Sequence, residues 1–211
     1  MSMKKEQLCL YVITDRTWLN GRTLEQCVKE ALSGGATMLQ LREKSLSKED
    51  FLHSAEQLKQ VCDEYHAPLI INDDVEIALK TDAAGVHVGR QDLPVSEARR
   101  LLGRKKIIGA SARTVEQAVS AERDGADYLG VGAVFGTNTK QDAKNISLSE
   151  LTEICKAVQI PVVAIGGITS ENISELKGTG ICGAAVISAV FASKDITWAA
   201  RKLKEKAKDL Y

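Results

Sequence analysis

Short apolar runs of strand character alternate with helix-patterned segments along this chain, and nearly every run stops at a polar or glycine cluster. Eight such runs can be read. Residues 8–13 lead into Thr14-Asp15-Arg16, 38–41 into Arg42-Glu43-Lys44, 69–71 into Asn72-Asp73-Asp74, and 85–88 into Gly89-Arg90-Gln91-Asp92. Residues 107–110 lead into Ser111, 128–131 into a loop ending Thr137-Asn138-Thr139-Lys140, 162–165 into Gly166-Gly167, and 184–187 into Ser188. Their continuous Val/Ile/Leu/Ala content is that of strands covered on both faces. Between them, Leu24, Cys27, Val28, Ala31 and Leu32 have the spacing of one helix face, and Gly34-Gly35 is a stop signal. Ser47, with Glu49 and Asp50 behind it, opens a helix that runs to about Tyr65. Further helices fit 75–81, 95–102, 115–124, 148–158, 172–177 and 197–210.

The order is βα repeated eight times, at roughly 25 residues per unit. It predicts an α/β fold, a single (β/α)8 TIM barrel occupying 1–211 as one domain. A doubly wound open sheet is the main rival. It usually carries fewer strands, and the glycine-rich first turn of a dinucleotide fold is missing. In a parallel barrel all the strand ends open onto one face, so chemistry scattered along the chain converges in one pocket.

Lys+Arg and Asp+Glu balance at 28 each, so no global field points to nucleic acid or to a membrane surface. No apolar run approaches the roughly 18–20 residues that span a bilayer. The charged N-terminus reaches a strand rather than a signal h-region, so a cytoplasmic location is the expectation. The five cysteines are odd in number and form no Cys-x-x-Cys pair, so a disulfide framework or zinc site is not expected and buried free thiols are. The exposed helix faces show no obvious seam, which leaves a homo-oligomer open.

The strand ends carry the candidate chemistry. Alternation along strand two points Gln40 and Arg42 the same way, and Arg42 and Lys44 can both reach phosphate oxygens. Basic residues in this position are also commonly just solvated. Asp73 and Asp92, on adjacent strand ends, can share a hard cation such as Mg²⁺, which takes one or two carboxylates and completes its shell with water and substrate phosphate. Helix capping is the alternative for both, and also for Asp74. The loop through Thr137, Thr139 and Lys140 is long enough for a lid or ligand clamp, or is simply a surface loop. Gly166-Gly167 and Ile187-Ser188 follow strands seven and eight, the usual phosphate site of this fold. His87, within strand four, reads best as a satisfied barrel-core histidine. No Ser-His-Asp or Cys-His arrangement can be argued.

Taken together, these segments resemble the thiamine-phosphate synthase family. The matching stretches are Tyr11-Val12-Ile13-Thr14-Asp15-Arg16, Leu39-Gln40-Leu41-Arg42-Glu43-Lys44, Ile70-Ile71-Asn72-Asp73, Gly85-Val86-His87-Val88-Gly89 with Gln91-Asp92-Leu93-Pro94, Ile108-Gly109-Ala110-Ser111, the Thr137-x-Thr139-Lys140 loop, and Val163-Ala164-Ile165-Gly166-Gly167-Ile168. The resemblance implies an enzyme, a transferase. It would join hydroxymethylpyrimidine diphosphate to a thiazole phosphate or its carboxylate, releasing thiamine phosphate and pyrophosphate. It further implies Mg²⁺ on Asp73 and Asp92, and contacts from Arg42, Lys44, Asn72, Ser111 and Lys140 to the diphosphate. Gln40 would help place the pyrimidine, and Thr137, Thr139, Gly167, Ile187 and Ser188 would cradle the thiazole phosphate. The chain departs from the family pattern at Arg90 (commonly Gln), at Ala133 and Gly136 (often Pro), and at Arg113 (often His). The last departure bears on a rival, the thiazole tautomerase of the same fold, thought to use that His as its acid/base group. Arginine cannot shuttle protons near neutral pH.

Overall fold

The computed structural model describes residues 3–136 and 145–210. Strands β1 (Leu10–Ile13), β2 (Met38–Leu41), β3 (Leu69–Asn72), β4 (Gly85–Val88), β5 (Ile107–Ala112), β6 (Tyr128–Gly132), β7 (Val162–Ile165) and β8 (Gly183–Val186) run parallel and close into a barrel in chain order. Closure is made by β1 on β8, with Leu10 opposite Ala184 and Val12 opposite Val186. The helices are α1 (Leu24–Ser33), α2 (Lys48–Glu64), α3 (Val75–Lys80), α4 (Val95–Leu102), α5 (Val115–Arg123), α6 (Leu148–Ala157), α7 (Ser188–Phe191) and α8 (Ile196–Ala207). Side-chain oxygens of Thr23, Ser47, Asp74, Thr114, Ser147 and Asp195 cap six of their N-termini, each contributing about 1 kcal/mol.

Period-two alternation divides the core in two. Leu39, Leu41, Leu69, Ile71, Val86, Val88, Ile108 and Ala110 face outward into the layer of helices. Tyr11, Ile13, Met38, Ile70, Tyr128, Val163 and Ala185 fill the barrel interior, with Leu8 and Cys182 beside them. Inward positions on β5 and β6 fall on Gly109 and Gly130, and the vacated volume is taken by the ring systems of Tyr128 and His87.

The structure corrects three boundaries. The first run begins with a 3₁₀ turn at Lys5–Leu8, and the strand starts only at Leu10. Leu8 is fully buried with the interior cluster, which favours a plug over an extended strand. The helix expected at 172–177 is one 3₁₀ turn, Ile173–Leu176. Its buried residues, Ile173 and Leu176, are three apart, matching three residues per turn, and Lys177 is already extended. Strand eight ends at Val186, and the short helix α7, which the apolar pattern did not reveal, follows Ile187.

Arg99 on α4 ties together the rim opposite the strand ends. Its guanidinium donates to the carbonyls of Gly103 (2.6 Å), Lys106 (2.8 Å) and Gly125 (2.8 Å), and to Asp127 Oδ2 (2.5 Å). Asp127 Oδ2 in turn accepts from the Ile108 N–H. Arg99→Ala is expected to destabilise the fold by about 2–3 kcal/mol, because several partly buried acceptors lose one shared donor. Arg99→Lys should recover little of this, since an ammonium lacks the planar fork. Urea unfolding midpoints would check both.

Candidate active site

The C-terminal ends of β1 to β5 form one wall of the barrel mouth. On β2, Gln40 is buried and points inward, while Arg42 follows with the same parity at the rim. The Arg42 N–H donates to the buried Thr14 Oγ1 at 3.0 Å, and the Thr14 N–H donates to the Gln40 carbonyl at 2.9 Å, so the end of β1 holds the end of β2. Glu43 has the opposite parity. It accepts from Arg16 Nε at 2.7 Å, and Arg16 also donates to Ser54 Oγ on α2. Burial pushes the Glu43 carboxyl up while Arg16 opposes that shift. The one acid in this basic strand end is thus matched locally by Arg16.

Asp73 follows β3 with a left-handed backbone (φ 65°), a conformation Asp tolerates better than most residues. Its N–H donates to the His87 carbonyl at 2.8 Å. Its carboxylate accepts from Lys44 Nζ at 2.6 Å and from the Asn72 side-chain amide. Asp92 Oδ2 accepts from the Gly89 N–H at 2.8 Å, and its carboxyl lies close enough to Asp73 for each to shift the other's titration. Partial burial and the facing Asp73 carboxylate push Asp92 up. Burial would raise Asp73 too, but Lys44, with Asp92 alongside, holds it below the ordinary carboxylate range. Helix α3 is capped by Asp74, and the cap position of α4 is Pro94, so neither Asp73 nor Asp92 is a capping residue. A cavity of about 700 Å³ opens beside Lys44, Asn72 and Asp73 and continues outward between α2, α3 and α4. Gln40 and Ser111 are not on its wall; they lie toward the barrel axis.

Ser111 lies within β5, half-buried, and His87 Nε2 stands 3.0 Å from its Oγ. His87 Nδ1 is 3.0 Å from Tyr128 Oη, Tyr128 Oη is 2.8 Å from Tyr11 Oη, and Gln40 Nε2 donates to Tyr11 Oη at 2.6 Å. Gln40 and Ser111, read from the sequence as separate contacts, are therefore the two ends of one buried polar chain. His87 is satisfied in the barrel core, as expected, and also touches a candidate site residue. Tyr11 and Tyr128 were not foreseen. Their inward parity was readable, but not that their hydroxyls meet.

Across the mouth, Gly166 (φ 102°) and Gly167 (φ 64°) carry the chain out of β7. A Cβ on Gly167 would lie 2.4 Å from the Gly136 carbonyl oxygen, and one on Gly166 would lie 2.5 Å from Ala133 Cβ. The Val134 and Phe135 N–H groups donate to the Ile165 and Gly166 carbonyls, so the chain after β6 is laid directly on the glycine pair. Ile187 and Ser188 open α7, which lacks a side-chain cap. Arg113 Nε donates to the Gly132 carbonyl at 3.1 Å. Arg90 is exposed. Thr137, Thr139 and Lys140 lie outside the described residues.

A parallel barrel with hydrogen-bonding carboxylates, cations and glycine turns on its strand-end face defines an enzyme of the phosphate-handling (β/α)8 class. A family model described as thiamine monophosphate synthase matches residues 10–190. The chain is 49% identical over 203 residues to a thiamine-phosphate synthase of Clostridium tetani (96% of this chain, 97% of that one). It is 50% identical over 196 residues to one of Ruminiclostridium cellulolyticum, covering 93% of each. A solved thiamine phosphate pyrophosphorylase from Pyrococcus furiosus superposes with a TM-score of 0.90 at 41% identity over 98% of each chain. The chain belongs to the thiamine monophosphate synthase family, and its activity is that family's, a transferase reaction yielding thiamine phosphate. Among the described residues, no helix is long and apolar enough to cross a membrane.

Proposed function

We propose that this chain joins 4-amino-2-methyl-5-hydroxymethylpyrimidine diphosphate to thiazole phosphate, releasing thiamine phosphate and pyrophosphate, with Mg²⁺ at Asp73 and Asp92. The observation that carries this reading is the gathering of Lys44 and Asn72 on the Asp73 carboxylate, with Asp92 set against it, at the ends of β2, β3 and β4, and Arg42 beside them. Two hard-oxygen carboxylates set close to each other suit a divalent cation between them. Among the described residues no group of three or more His, Cys, Asp or Glu side chains could hold a metal, so substrate oxygens would complete the shell. When bound, Mg²⁺ would offset negative charge on the diphosphate.

The rest is done by side chains. Gln40 presents an amide to the pyrimidine from the barrel interior. Arg42 and Lys44 bind the terminal phosphate oxygens, and Asn72 and Ser111 donate to them. The bond between the pyrimidine methylene carbon and the ester oxygen of the α-phosphate breaks, and its electron pair leaves with pyrophosphate. The cation left behind is stabilised by the ring amine. The thiazole nitrogen then places its lone pair on the methylene carbon and forms the new C–N bond. No protein nucleophile or proton shuttle is needed. Fixed cations that favour the leaving group's developing charge supply the catalysis. Thr137, Thr139, Gly167, Ile187 and Ser188 would hold the thiazole phosphate, and Lys140 would contact the diphosphate.

The test is direct. The purified protein is mixed with both substrates in Mg²⁺ or in EDTA, and thiamine phosphate and pyrophosphate are followed by chromatography. Equal amounts of the two products, abolished by EDTA, are expected. Folded protein that yields neither in Mg²⁺ would overturn the reading.

A further inference from the structure

The buried chain from Gln40 to Ser111 has a direction, and the direction decides what Ser111 can offer an anion. Gln40 Nε2 donates to Tyr11 Oη. Tyr11 is 1% exposed, so its own proton goes to the other oxygen within reach, Tyr128 Oη at 2.8 Å. Tyr128 is fully buried and, having accepted from Tyr11, passes its proton to His87 Nδ1 at 3.0 Å. An imidazole that accepts at Nδ1 carries its proton on Nε2. That N–H then points at Ser111 Oγ, 3.0 Å away. With one lone pair taken by His87, the Ser111 hydroxyl proton is left to point into the mouth.

We propose that Tyr11, Tyr128 and His87 form a polarised positioning relay that commits the Ser111 hydroxyl as a hydrogen-bond donor toward the diphosphate. The relay rests on the function proposed above. Run the other way, the same four links would draw the Ser111 proton onto His87 and turn only lone pairs toward phosphate oxygens, which repels them. The barrel is shaped to hold these groups. A Cβ on Gly109 would stand 2.1 Å from Tyr128 Cζ and 2.5 Å from His87 Nδ1, and one on Gly130 would stand 3.1 Å from His87 Cε1. Burial pushes both phenols well above their ordinary range, with Gln40 and Tyr128 partly opposing the shift at Tyr11, so both keep the proton they donate. Tyr11, Tyr128 and His87 are positioning residues here, acting through Ser111.

Two measurements test this. With only three histidines in the chain, His87→Gln assigns the His87 signals in long-range ¹H–¹⁵N spectra of the histidine-labelled protein. The free enzyme is expected to show His87 protonated at Nε2 alone. Gln40→Glu, whose carboxylate can only accept from Tyr11, should switch the proton to Nδ1. The kinetic test is a double-mutant cycle. Tyr128→Phe should lower kcat by about tenfold or more with little change in either KM, and should add almost nothing to the loss in Ser111→Ala. An Nδ1-protonated His87 in the free wild-type enzyme, no switch in Gln40→Glu, or multiplicative losses in the Tyr128→Phe, Ser111→Ala double variant would each overturn the relay. Absence of product from the wild type would sink the function itself, whereas the tautomer is read without substrate and judges the relay's direction alone.

Discussion

Asp92→Asn is expected to lower turnover at least about 100-fold while slightly raising the melting temperature at neutral pH. Two carboxyl groups set close to each other are poorly arranged for stability and well arranged for a cation. The Asp92 carboxyl is held above its ordinary range by partial burial and by Asp73, so it favours the folded state most when protonated. Its contribution is fully present below the unfolded value of roughly 4 and is lost as pH rises through the folded value. At neutral pH the charge therefore opposes folding. Asparagine removes it, yet can still accept from the Gly89 N–H and donate to Asp73. The variant should melt roughly 1–2 °C above wild type near pH 7, a gain that fades as pH falls toward 4. Mg²⁺ with inorganic pyrophosphate should raise the wild-type melting temperature and leave that of the variant nearly unmoved. Near-wild-type turnover in Asp92→Asn would remove Asp92 from the site.

Gly109→Ala is expected to damage the barrel interior and the candidate site together. The new Cβ would meet Tyr128 Cζ at 2.1 Å, Tyr128 Oη at 2.3 Å and His87 Nδ1 at 2.5 Å. None is the loose end of a flexible side chain: Tyr128 is fully buried and its hydroxyl is fixed by Tyr11. The ring must shift, and the shift breaks the bonds to Tyr11 and His87 together. Overpacking of this kind costs about 3 kcal/mol, and the disrupted polar groups add to it. Denaturant midpoints would show the loss of stability. Turnover per folded molecule should fall about tenfold or more, because Ser111 loses its His87 partner. Tyr128→Phe in the same background should restore only part of the stability, since the ring carbon clashes as well as the oxygen. A Gly109→Ala protein as stable and active as wild type would mean that the interior is looser than these distances allow.

The alternation of apolar runs with helix-patterned segments was readable because strands buried on both faces need unbroken apolar side chains, and helices need one apolar stripe. Barrel topology then gathers the ends of those runs whatever lies between them. Lys44, Asn72, Asp73 and Asp92 were accordingly recognisable as neighbours, although Lys44 and Asp73 are 29 residues apart. The same local logic failed at 172–177, where the spacing of two apolar residues suits a 3₁₀ turn as well as an α-helix, and at α7, whose four residues are too few to show a period.

What the sequence determined by itself is the α/β barrel and the list of chemical groups at its mouth, since both follow from local pattern and strand order. The tertiary structure decided how those groups are coupled. It paired Glu43 with Arg16, set Asp92 against Asp73 rather than on a helix end, and gave Arg113 the Gly132 carbonyl. It also joined Gln40 to Ser111 through two tyrosines that are 117 residues apart in the chain. Hydrogen-bond partnership depends on tenths of an ångström and on which inward positions lack a Cβ. Those distances exist only once the eight strands have closed around Gly109 and Gly130.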